Sequence, residues 1–250
     1  MTGIKRFLWL ALLLTSTSLS AEVLRLAGSV WPPYTDQTLP EQGLSVDLIR
    51  TALGRAGYRV EYREVPWERA LLGLKNGRYD MINDWPAADR ASYSRSSRPF
   101  LTNRVRWVQR RDSPLRYEGL DSLAGLHIVL SRGYTYGGGL QSDPRLIKGY
   151  AADFVQAARM LLAGRADLTL EDERAALFHF NRELEGVSDE LSFLPGEFNL
   201  LDLSLVVRND HPRQAAIIAA FNREIAAMVE DGSYAATFHR HGLPAPLALP

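Results

Sequence analysis

The sequence predicts an α/β protein made of two strand–helix units with a cleft between them. Three observations carry this expectation. Between residues 23 and 83, short apolar runs of strand length alternate with segments whose apolar residues recur at helical spacing. The same alternation restarts near Leu126. Glycine, asparagine and proline punctuate the joints. Strands that alternate with helices become parallel neighbours joined by crossovers. Ligands of such sheets bind beyond the carboxyl ends of the strands.

The elements follow in order. Residues 23–27 are apolar and stop at Gly28, as a strand would. Trp31-Pro32-Pro33-Tyr34 is a loop, because two prolines interrupt any ladder. Leu44, Leu48, Ile49, Ala52, Leu53 and Ala56 mark one face of a helix, and Gly57 sits at its C-terminal cap. Residues 58–62 alternate as a strand should. Trp67, Ala70, Leu71 and Leu74 mark a second helix, closed by Asn76-Gly77, and residues 79–83 form the next strand. The second unit opens with a strand at 126–130 and a glycine-rich loop at 131–139, with a helix start expected just after Thr135. A helix over 152–163, a strand at 167–170 and a helix over 172–180 follow. The chain then offers a strand at 203–207 and a long amphipathic helix whose inner face carries Ile217, Ile218, Phe221, Ile225, Met228 and Val229.

Composition narrows the function. The 250 residues contain 29 Lys plus Arg and 29 Asp plus Glu, so the formal charge is zero. A nucleic-acid binder would show a basic excess, and no nucleic-acid partner is expected. Cysteine is absent, which removes thiol catalysis, zinc ribbons and redox motifs. The five histidines are scattered, and neither a zincin helix motif nor a nucleophile elbow is present. No metal or other cofactor is expected. Lys5 and Arg6, the apolar run 7–14 and the small polar stretch 15–20 read as an export signal, cleaved after Ser20 or Ala21. That run is far short of the ~20 apolar residues of a membrane span. The expected product is exported to the periplasm. The proline-rich residues 246–250 read as a loose tail.

Several short motifs, in this order, resemble a known family. They are Trp31-Pro32-Pro33-Tyr34, Gly43-Leu44-Ser45-Val46-Asp47-Leu48, Asn76-Gly77-Arg78-Tyr79-Asp80, and Arg90 followed by Ser97-Arg98-Pro99-Phe100. Leu123-Ala124-Gly125, Gly133-Tyr134-Thr135, Gly164-Arg165-Ala166-Asp167 and Asp231-Gly232-Ser233-Tyr234 complete the series. Together they resemble the extracellular solute-binding proteins, family 3, that serve polar amino-acid ABC importers. The resemblance runs from about Leu24 to Gly242. It implies the type II periplasmic binding protein fold: two lobes, each a mostly parallel sheet flanked by helices, with the ligand cleft between. Lobe 1 would hold residues 22–101 and 204–245, and lobe 2 residues 102–203. Two extended crossings, near 101–104 and 199–203, would form the hinge. The implied partners are a small polar, amino-acid-like ligand and the membrane permease of an ABC transporter. Nothing in the sequence marks an oligomer, so a monomer is expected.

The resemblance also assigns a site. Arg90 matches the arginine that grips a ligand carboxylate through two parallel hydrogen bonds. Asp172, five residues after Asp167, would meet an ammonium group. Its plain alternative is a helix N-cap, and Glu171 and Glu173 flank it as substitutes. Trp31 and Trp67 would face one another across the ligand, or else pack in the core. Asp84 and Trp85 stand where the family carries small residues and a threonine, and would add an acid and an indole to the pocket. Gly133, Tyr134 and Thr135 would turn backbone N–H groups toward a ligand anion. Two other functions remain open on the same scaffold. One is a dehydratase-like enzyme using Glu171, Glu173 or Asp84 as acid or base. The other is a sensory module that docks to a membrane receptor. Neither has a motif of its own in the sequence, so no catalytic residue is assigned.

Overall fold

The structure, a computed structural model, describes residues 21–246 and 249–250. The expected export signal lies outside the described residues except for Ala21, as do positions 247–248 of the expected tail.

The first unit runs β1 (Glu22–Gly28), α1 (Leu44–Arg55), β2 (Tyr58–Glu64), α2 (Trp67–Lys75) and β3 (Met81–Asp84). A long strand, β4 (Ser94–Arg110), leads to β5 (His127–Ser131), β6 (Ile147–Ala151), α3 (Phe154–Leu162), β7 (Leu168–Asp172) and α4 (Glu173–Phe180). The chain returns through β8 (Leu191–Phe193) and β9 (Asn199–Arg208) and ends with α5 (Gln214–Glu230) and α6 (Ser233–Arg240).

Hydrogen bonding links the strands in the order β2-β1-β3-β9-β4-β7-β5-β6, with β8 on β4. The parallel sets expected from the alternation sit at the two ends. β1 pairs with β2 and β3, and β5 pairs with β6 and β7, all parallel. The centre is antiparallel: β9 pairs with β3 and β4, and β4 pairs with β7 and β8. The two expected crossings form one antiparallel ribbon, with Leu101 opposite Leu203, Asn103 opposite Leu201 and Val105 opposite Asn199. The register of this ribbon shifts around Pro99, a residue with no N–H to give to a ladder.

One large core cluster joins residues of both units, and a smaller one belongs to the second. α1 buries Leu44, Leu48, Ile49, Ala52 and Leu53 against Leu24 and Leu26 of β1 and against Phe221 and Ile225 of α5. Burying one such side chain contributes roughly 1.5–3 kcal/mol. The C-terminal helices return to this unit. Tyr234 Oη donates to the Phe100 carbonyl at 2.6 Å, and Asp47 accepts from Arg240 and lies 2.9 Å from His241 Nε2. In the second unit Phe154, Ala157, Ala158 and Leu161 of α3 pack with Val129, Ala176 and Phe180. Gly43 starts α1 at φ 101°, and a Cβ there would stand 2.5 Å from the Tyr34 carbonyl oxygen. The turn that places Tyr34 therefore requires glycine at 43.

One expectation fails. No helix begins after Thr135. The segment runs through turns into β6, because Gly137, Gly138 and Gly139 all take positive φ, at 69°, 60° and 78°. A right-handed helix has no place for three such residues in a row.

Candidate functional site

The strand ends converge. Trp31 and Tyr34 lie on the turn after β1, closed by Trp31 N–H to the Thr35 carbonyl at 2.7 Å and Tyr34 N–H to the Trp31 carbonyl at 2.9 Å. Trp67 is the first residue of α2, just past β2. Asp84 ends β3, with Trp85 next. Gly133, Tyr134 and Thr135 follow β5, and Glu171 and Asp172 end β7. This is where an α/β sheet binds ligands.

The aromatic rings form a continuous series. Trp31 lies 4.4 Å from Tyr34 and meets Trp85 edge-on at 5.5 Å. Trp85 meets Tyr134 edge-on at 5.7 Å, and Tyr134 meets Trp67 at 6.1 Å. Polar bonds join the two units across this series. Trp31 Nε1 donates to Glu171 Oε1 at 3.1 Å and Tyr34 Oη to Asp172 Oδ1 at 2.8 Å. Trp67 Nε1 and Arg90 Nη2 both donate to the Gly133 carbonyl, at 3.1 and 3.0 Å. The loop thus turns a carbonyl, not N–H groups, toward Arg90 and Trp67. Of the N–H groups expected to face an anion, that of Tyr134 is turned back to the Ser131 carbonyl at 3.2 Å.

Trp31, Trp67, Asp84, Trp85, Tyr134 and Thr135 wall one inner cavity, together with Ser29 and Asn83. Its volume is about 30 Å³, close to the room two water molecules need. Trp31 and Trp67 share its wall, but their ring partners are Tyr34, Trp85 and Tyr134 rather than each other. A wider recess of about 630 Å³ continues outward past Ser29, Trp31, Trp67 and Tyr134 to Glu64, Asp153, Arg159, Glu171, His179 and Glu183.

Three sequence-expected residues stand apart from the inner wall. Arg90 is buried, with Nε 3.1 Å from Asp84 Oδ2. Asp84 lines both the inner cavity and a separate recess on the far side, while Arg90 lines only the latter. Gly133 meets the site through its carbonyl alone. Asp172 caps α4, accepting from Ala175 N–H at 3.0 Å, and its carboxylate also takes Tyr34 Oη and Asn103 Nδ2. It lines none of these three cavities, whereas its neighbour Glu171 lines the outer one.

Burial dominates the electrostatics. It pushes the Asp84 carboxyl up to about 7, against the pull of Arg90. It pushes Glu171 up to about 8, opposed by the Asp172 N–H and by Trp31. The Asp172 carboxyl is also raised by burial, and the Tyr34 and Tyr134 hydroxyls are raised well above their ordinary value. Asn103 was not singled out in the sequence. It joins Trp85 Nε1, at 2.8 Å, to Asp172 Oδ2, at 3.0 Å, from the middle of β4. Its only signal was its place in the expected hinge. Asn83 was likewise passed over, although it adjoins Asp84 on the same strand.

Known proteins share this fold. Residues 26–243 match the family described as bacterial extracellular solute-binding proteins, family 3. A probable amino-acid ABC transporter-binding protein of Haemophilus influenzae is 23% identical over 81% of this chain and 77% of its own length. The L-cystine-binding protein TcyA of Bacillus subtilis is 27% identical over 54% of this chain and 50% of its own. Among solved structures, a histidine kinase sensor domain with similarity to periplasmic binding proteins superposes with a TM-score of 0.78 at 23% identity, covering 91% of this chain and 99% of that one. An ancestral arginine-binding protein bound to arginine superposes with a TM-score of 0.74 at 19% identity, covering 88% and 98%. The fold is the two-lobed α/β fold of the type II periplasmic binding proteins, and the chain belongs to the bacterial extracellular solute-binding proteins, family 3.

Proposed function

We propose that this chain is an exported periplasmic monomer that captures a small polar ligand, an amino acid or a derivative, and hands it to the permease of an ABC importer. The observation that carries this reading is the two-sided wall of the cleft. Trp31, Tyr34, Trp67 and Arg90 reach from the first unit to Gly133, Glu171 and Asp172 of the second. A ligand that touches both sides gains contacts only when they are together, which is the differential affinity that drives closure. The lobes are residues 22–101 with 204–245, and residues 102–203. The β4–β9 ribbon is the hinge, a few strand residues that absorb the bend.

The ligand-facing residues in this reading are Trp31, Trp67, Asp84, Trp85, Tyr134, Thr135 and Glu171. Arg90, Gly133 and Asp172 hold them in place. The carboxyls act on the ligand by charge, without turnover. Similarity to a probable amino-acid ABC transporter-binding protein of Haemophilus influenzae favours a transport role, and similarity to the L-cystine-binding protein of Bacillus subtilis favours an amino-acid-like ligand. The sensor-domain neighbour favours a second reading, in which the closed form reports to a membrane receptor.

Uptake of the bound ligand by a strain deleted for this chain separates the two. Transport predicts that uptake is lost and is restored by the gene. Undiminished uptake with loss of a ligand-dependent response would establish the sensor instead.

A further inference from the structure

The inner cavity offers acceptors and no free cation. Asn83 Oδ1 is buried and lacks a hydrogen-bond donor, and Asp84 Oδ2, also buried, has the Arg90 ion pair but no aligned donor. Asp84 Oδ2 stands 3.1 Å from Arg90 Nε, and Arg90 Nη2 is taken by the Gly133 carbonyl, so two of the guanidinium nitrogens already have an acceptor beside them. The outer recess carries four acids, Glu64, Asp153, Glu171 and Glu183, against Arg159 and His179. His179 is already engaged with Glu183 at 2.9 Å. The rings of Trp31, Trp67, Trp85 and Tyr134 line the path between the two ends. An aromatic face attracts a cation.

We infer that the ligand is an organic amine cation without a carboxylate, with Asp84 serving as the built-in anion of Arg90, an assignment that rests on the solute-binding reading above. A ligand carboxylate entering the inner cavity would meet Asp84, Asn83 Oδ1 and the ring faces, and would leave one buried charge unpaired. An ammonium group there would donate to Asn83 Oδ1 and would give Asp84 Oδ2 an aligned donor beside its Arg90 ion pair. A second ammonium at the outer end would face Glu171 and its neighbours. Acids at both ends of a connected, aromatic-lined space suit a diamine or a guanidino-amine. Arg90 Nη1 has no hydrogen-bond acceptor, so removing the charge at position 84 leaves an unpaired cation beside the cavity wall that Asp84 lines.

The test uses amino acids and their decarboxylated counterparts: arginine and agmatine, lysine and cadaverine, ornithine and putrescine. Calorimetric titration of the mature chain should show at least one amine binding about tenfold or more tighter than its amino acid. Asp84→Asn should weaken that amine about tenfold or more and bring the matching amino acid into the measurable range. Glu171→Gln leaves the Arg90–Asp84 pair intact, and should weaken the amine similarly, so the test survives if Asp84→Asn does not fold. Amine affinity should also rise from pH 6 to pH 8. Asp84, facing Arg90 and Asp89, and Glu171, facing Asp172, Tyr134 and Tyr136, ionise across that range.

Equal or tighter binding of the amino acids would overturn this inference and leave the solute-binding reading standing. So would an amine affinity that is unchanged in both folded variants. Absence of binding by either class would count against both.

Discussion

Replacing Glu171 with glutamine should flatten the fall in stability between about pH 5 and pH 8. Glu171 is 1% exposed and its carboxyl is raised from 4.5 to about 8, chiefly by burial. The folded chain therefore keeps this proton to about pH 8, while the unfolded chain releases it near 4.5. Between those values the folded state binds more protons, so stability declines as pH rises. One proton gives a slope of at most about 1.4 kcal/mol per pH unit. For a chain of this size 1 kcal/mol moves Tm by about 2–4 °C, so the slope is roughly 3–5 °C per unit. Asp84 acts in the same direction between 3.8 and about 7. His211, lowered by burial from 6.5, acts in the opposite direction as pH rises toward that value. Both remain in the variant and cancel in the comparison. Thermal melts of ligand-free parent and Glu171→Gln, in matched buffers from pH 5 to pH 9, read the difference. The parent should lose ground to the variant with each pH unit up to about 8 and then run parallel. Curves that stay parallel throughout would refute a buried, protonated Glu171.

The Arg90–Asp84 pair is measured by a double-mutant cycle in denaturant. Arg90→Met alone should cost about 3–5 kcal/mol by leaving a buried acid without its partner, and the double variant with Asp84→Asn should cost clearly less than the two single losses added. Strict additivity would mean that the pair is not formed. Asp172→Ala should cost about 0.5–2 kcal/mol for the lost α4 cap and more for the stranded Tyr34 and Asn103 donors. Asp172→Asn, which keeps a capping oxygen, should cost less, and the reverse order would contradict the cap. Gly73→Ala should destabilise by about 1–3 kcal/mol, since its Cβ would stand 2.3 Å from Tyr79 Cδ2. An unchanged midpoint would mean that α2 does not lie so close to Tyr79.

Much of the fold was legible because local signals agreed with the global pattern. Helical spacing from Leu44 to Ala56, with a glycine at its end, gave α1 nearly to its bounds. The β1–α1–β2–α2–β3 alternation announced parallel pairing, which the structure has at both ends of the sheet. The antiparallel centre was not legible. Strand β4 carries Arg95, Arg98, Arg104 and Arg106 among its apolar residues, so its period is blurred. Its strand character comes from pairing with β9, nearly 100 residues on. The glycines at 137–139 signalled a loop, and the expected helix start beside them ran against that signal. At the site, residue types were readable but partners were not. Arg90 and Asp84 are six apart, and nothing in that spacing reveals that one would neutralise the other. Glu171 and Asp172 are adjacent, and only the strand-to-helix turn decides which one faces the recess and which one caps α4.

If the cleft lined by Trp31, Trp67 and Tyr134 is a ligand site, a thermal-shift screen of the protein will show it. The panel should contain amino acids, opines, amines and small organic acids, run on protein that is folded and stripped of carried-over ligand. A ligand at 100 times its Kd adds about 2.7 kcal/mol, or roughly 5–10 °C here. A small chemical class should give a shift of that order, and Trp67→Ala should abolish it. A shift that survives Trp67→Ala undiminished, or no shift with any compound, would contradict a ligand site there.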